Sequence, residues 1–178
     1  VSSPCDPQYA PAGDVGAALM MIDSRLKAMY GDGAETDPVQ RQLTEQFTAS
    51  LAPKEADDLV DGACTLIYMF MRWLRMAYED HDKDVIEYVV PGLVASLRMM
   101  PKSIRPEVIP TMAGLVVAAG TGLSPSLWRK QYGDWTKDEM NSLEATALLL
   151  AEHINRLTDN RDFAARMIAE AMSRATEG

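Results

Sequence analysis

The chain has 178 residues and a formal net charge of -9. Hydrophobic residues make up 47% and charged residues 24%, which excludes wholesale disorder and suits one domain with a real core. Such an acidic chain repels phosphate backbones and anionic membranes at long range, which disfavours nucleic acid as a partner.

The charge is uneven. Residues 1–61 hold 4 Lys/Arg and 11 Asp/Glu, whereas residues 85–134 hold 5 against 3. A basic middle on an acidic chain reads either as a face for an anionic partner or as ordinary solvated surface. Cys5 and Cys64 give no disulfide framework, and Cys64 lies in an apolar run where a buried, reduced thiol is expected. The opening VSSPCDPQYAPAG lacks a basic stretch followed by an apolar core, so no signal peptide is read and a cytoplasmic location is expected.

Residues 1–13 hold three prolines without periodicity and read as a flexible arm. From there the punctuation is helical, and residues 14–178 read as a single helical domain. Asp14 is placed to cap a first helix that runs to Tyr30 and stops at Gly31. Its apolar stripe is Val15, Ala18, Leu19, Ile22, Leu26 and Met29. Asp37 and Pro38 open a second helix with Val39, Leu43, Phe47 and Leu51 on one side.

The third helix starts near Lys54 and carries the run GACTLIYMFMRWLRMA from Gly62 to Ala77, which is apolar on nearly every side. Such a helix is the centre of a bundle or a membrane span. At about 1.5 Å per residue the run rises roughly 24 Å, short of the ~30 Å hydrocarbon core, and it contains Arg72 and Arg75. A buried axis is therefore expected, with no membrane partner.

The third helix should fray at Glu79-Asp80-His81, with Asp82 capping a fourth that carries Val85, Ile86, Val89, Val90, Leu93, Val94 and Leu97. Pro91 falls inside that pattern and predicts a kink rather than a stop. Pro101 ends the fourth helix. Pro106 starts a fifth, apolar on most sides, that ends at Gly120-Thr121-Gly122. Ser124-Pro125 opens a short sixth through Tyr132. The capping box Thr136-Lys137-Asp138-Glu139 starts a seventh that reaches Leu157, and Asn160 caps an eighth. The expected fold is all-α, an orthogonal bundle of seven to eight helices around central apolar helices near 54–79 and 106–119.

Four constellations invite chemistry. Residues 114–133 resemble a degenerate helix-turn-helix, with Ser126, Arg129, Lys130 and Gln131 facing a DNA groove. Against it stand the apolar preceding helix, the turn lengthened by Gly120 and Gly122, and the overall charge. His81, Asp82 and His153 could serve a divalent metal, yet neither histidine has the helical spacing of common metal sites. Nucleophilic catalysis has no support: Cys64 lacks an activator and no Gly-x-Ser-x-Gly is present. Finally, Trp128, Arg129, Lys130, Tyr132 and Trp135 cluster as residues typical of interface hot spots, and equally of anchors that pin a short helix.

No motif demands a particular reaction or cofactor. The expectation is a non-catalytic helical regulatory or interaction module that binds a protein partner or a second copy of itself. The alternatives are a DNA-binding regulator and a small-ligand or metal-binding helical protein or enzyme.

Overall fold

The computed structural model describes residues 12–29 and 53–177. Every regular element among them is helical: α1 (Ala12–Met29), α2 (Pro53–Glu79), α3 (Val85–Arg98), α4 (Ile109–Gly120), α5 (Pro125–Lys130), α6 (Lys137–Thr158) and α7 (Phe163–Glu177), with a 3-10 turn at Pro106–Val108 leading into α4. Residues 1–11 of the expected arm, Cys5 among them, and the helix carrying Val39, Leu43, Phe47 and Leu51 lie outside the described residues; Ala12 and Gly13 already belong to α1, so Asp14 lies in its first turn rather than capping it. No helix among the described residues is long and apolar enough to cross a membrane.

Helix α2 is the axis. Between Gly62 and Met71 every residue except Tyr68 is buried, Cys64 among them, and α2 contacts all six other described helices. Its apolar surround ends there. Arg72, Arg75 and Met76 are exposed, and Trp73 packs half-buried, edge-on to Phe163 of α7 at 5.3 Å between ring centroids. One apolar cluster draws buried residues from α1 (Val15, Ala18, Ile22, Leu26) through α7 (Ala164, Ile168).

The capping residues explain most boundaries. In α6 both arms of the capping box form: Thr136 Oγ1 accepts from the Glu139 N–H at 3.2 Å, and Glu139 Oε1 accepts from the Thr136 N–H at 2.9 Å. Asn160 Oδ1 accepts from the Asp162 N–H at 3.0 Å, just before α7 begins. Asp84, not Asp82, caps α3, its Oδ1 accepting from the Ile86 N–H at 2.9 Å. Asp82 instead takes a left-handed backbone, φ 57°, and closes the tight turn after α2. Helix α3 runs through Pro91 without stopping. Pro91 is exposed, so the carbonyl it leaves without an N–H partner can meet water.

Two close approaches position the later helices. A Cβ on Gly114 would lie 2.3 Å from Cη2 of Trp128, so α4 and α5 meet only because residue 114 has no side chain. Asn155, buried near the end of α6, donates to the Arg161 carbonyl at 2.9 Å and accepts from the Ala164 N–H at 2.8 Å, which fixes α7 onto α6.

Candidate functional site

The first site lies at the corner formed by the α4–α5 turn, α5 and the loop to α6. The chain leaves α4 through Gly122 at φ 89°, a backbone that favours glycine. Ser124 Oγ then accepts from the Leu127 N–H at 3.2 Å, and Pro125 takes the first helical position. Helix α5 ends at Lys130, shorter than the expected run to Tyr132.

Arg129, one of the residues expected at the surface, is only 5% exposed. It forms a forked ion pair with Glu139, Nε to Oε2 at 2.7 Å and Nη2 to Oε1 at 2.6 Å. Its remaining donors reach the carbonyls of Gly133 at 3.0 Å and Asp134 at 2.9 Å, and its guanidinium lies 5.2 Å from the Trp135 ring centre. The Arg129 bonds hold the Glu139 carboxyl down at about 2 against the opposing effect of burial, with the capping bonds from Thr136 adding to the pull. The same pair raises the basicity of Arg129.

This corrects the expected groove-facing set. Ser126 is buried, with its hydroxyl 3.4 Å from Asp61 Oδ1, and Arg129 is committed to internal bonds; only Lys130 and Gln131 stand outside. A helix of six residues with half of those side chains turned inward does not present the reading face the motif requires. The charge argument weakens with it, because the Arg129 charge in the basic middle is neutralised by Glu139.

Of the expected partner-binding cluster, Arg129 is buried and Trp128 and Trp135 are half-buried, so these three anchor the corner. Lys130 and Tyr132 are exposed, and Tyr132 leans edge-on against Trp128 at 5.5 Å. The corner also carries Leu123, which a helix-turn-helix would use to pin its second helix, and Leu127, which the sequence does not single out. Leu123 is 58% exposed, Leu127 52% and Tyr132 69%.

The second site is a cleft of about 250 Å³ between α3 and α6. Val89, Leu93 and Leu150 form its apolar base, and Ser96, Tyr88, Glu152, His153 and Arg156 supply polar groups. His153 Nε2 is hydrogen-bonded to the Tyr78 hydroxyl at 2.9 Å, and Tyr78 stacks on Tyr88 at 5.6 Å. Burial, and then the positive charge of Arg156, lower the His153 pKa, so the ring is neutral at neutral pH. Burial, and then Tyr88, raise that of Tyr78, which keeps its proton. Arg156 is paired with Glu152 at 2.8 Å.

The expected metal set is not assembled. His81 and Asp82 sit exposed on the turn after α2, while His153, on α6, is engaged with Tyr78 of α2. Among the described residues no three His, Cys, Asp or Glu side chains are grouped to hold a metal ion. Tyr78 and Tyr88 escaped the sequence reading. The one available signal was the spacing that puts both beside the turn at Asp82.

Comparison with protein-family models, with curated proteins and with solved structures finds no match.

Proposed function

We propose that the chain is a non-catalytic interaction module that docks a protein partner on the α5 corner. The observation that carries this reading is the set of three large apolar side chains, Leu123, Leu127 and Tyr132, each more than half exposed on a rigidly pinned segment. Exposed aliphatic and aromatic groups on a fixed scaffold lose little conformational entropy on binding. The buried Arg129–Glu139 pair, the Ser124 cap and the Trp128–Gly114 contact provide that scaffold.

The partner is a different protein offering apolar side chains flanked by carboxylates. Exposed Lys130 lies between Leu127 and Tyr132 in sequence and favours an acidic rim. The net charge of -9 works against close approach of a second identical chain.

The test is a photo-cross-linking amino acid placed at Leu127 in cells that express the protein, with Met20 on α1, 74% exposed, as the comparison position. The expected result is a discrete adduct with one other protein from position 127, absent from position 20 and lost when Leu123→Ser is added. An adduct with a second copy of the chain, or no discrete adduct at all, overturns the reading.

A further inference from the structure

We infer that the cleft between α3 and α6 is a binding site for a small molecule carrying a carbonyl or carboxylate oxygen on a compact apolar body. The argument begins with Gly92, in the middle of α3. Glycine weakens a helix interior, and it is usually tolerated there because a neighbour needs the space. Here a Cβ on Gly92 would meet nothing within 4 Å, so no packed neighbour requires the glycine. What its missing side chain leaves open is the wall of the cleft.

The polar chemistry comes from His153. Its Nε2 is bound to the Tyr78 hydroxyl, and Nδ1 has no hydrogen-bond partner among the described residues. In the tautomer this site requires, the Tyr78 hydroxyl donates to Nε2 and the neutral ring carries its own proton on Nδ1. His153 is then a donor, and a donor selects an acceptor oxygen. Ser96 adds a hydroxyl that can donate as well. Arg156 contributes positive charge at the rim, offset by its pair with Glu152, so the site accepts a neutral carbonyl as well as a carboxylate. Val89, Leu93 and Leu150 contact the apolar body. At about 250 Å³ the cleft falls below the usual range for drug-sized ligands, which limits the ligand to roughly one ring or a short branched chain.

The test is a titration of the full chain with benzamide, benzoate and toluene, followed by backbone amide NMR. Benzamide or benzoate should shift the resonances of Gly92, Ser96 and His153, and toluene should bind roughly tenfold more weakly for want of the hydrogen bond. Gly92→Leu fills the cleft and should abolish the shifts. His153→Phe keeps a ring in place and should bring benzamide down to the toluene level. Dispersed amide spectra of both variants establish that they fold. Unmoved Gly92 and Ser96 resonances with all three compounds, or an unchanged titration in Gly92→Leu, overturns the site. Equal binding of toluene and benzamide by the native chain overturns the ligand class.

Discussion

Replacing Arg129 with methionine would leave the Glu139 carboxylate buried without its partner, together with the carbonyls of Gly133 and Asp134. The cost can be worked in two ways. Holding Glu139 at about 2 rather than its ordinary 4.5 corresponds to roughly 3 kcal/mol, at about 1.4 kcal/mol per pH unit, with Arg129 the largest cause and the Thr136 capping bonds a smaller one. Independently, removing one member of a buried ion pair costs about 3–5 kcal/mol. For a domain of this size each kcal/mol moves Tm by about 2–4 °C, so Arg129→Met should melt on the order of 10 °C lower.

The assay is urea unfolding followed by circular dichroism, at neutral pH and along an acid series. Glu139 has a folded pKa below its unfolded one, so its contribution is complete above about 4.5 and is lost as pH falls toward about 2. Native protein should lose that increment across the window, and Arg129→Met should not. Adding Glu139→Gln keeps an acceptor for the capping box and removes the stranded charge, so the double variant should recover at least ~1 kcal/mol. A loss below ~1 kcal/mol in Arg129→Met, or no recovery in the double variant, would refute the reasoning.

Gly114→Ala should cost about 1–3 kcal/mol and change the tryptophan fluorescence, because its Cβ would collide with the Trp128 ring at 2.3 Å. Asp159 holds a left-handed backbone, φ 51°, at the end of α6; Asp159→Gly relieves it and should raise stability by about 0.5–1 kcal/mol in urea unfolding. His153 should titrate below 6.5 when its imidazole resonances are followed by NMR, since burial and Arg156 disfavour the charged ring and Tyr78, Tyr88 and Glu152 surround it. Its folded pKa lies below the unfolded one, so the stability associated with the neutral ring is present above 6.5 and is lost as pH falls through the folded value.

The helical architecture could be read from the chain because its signals are local. The capping box at Thr136 and Glu139, the Ser124-Pro125 start and the apolar turns of Gly62 to Met71 each act within a few residues. The cap of α3 was misplaced by two positions, because an aspartate suits a left-handed turn as well as a cap, and the sequence offered Asp82 and Asp84 side by side. The sites were less legible because their partners are distant. Arg129 looked like surface until the loop through Gly133 brought Glu139 back to it across ten positions. The Tyr78–His153 bond joins residues 75 positions apart, a separation over which no spacing rule operates. The exposure of Leu123 and Leu127 depends on what packs against α5, which a helical pattern of two turns does not encode.

Because α2 touches every other described helix, none of them can detach without uncovering part of it. Amide hydrogens between Gly62 and Met71 should therefore exchange with solvent only when the whole domain opens, and their rates would report its global stability. Among the described helices, α7 borders at any length only α1, α2 and α6. With fewer neighbours than α2, its exposed turns should exchange earlier, so one exchange experiment would separate local opening from unfolding.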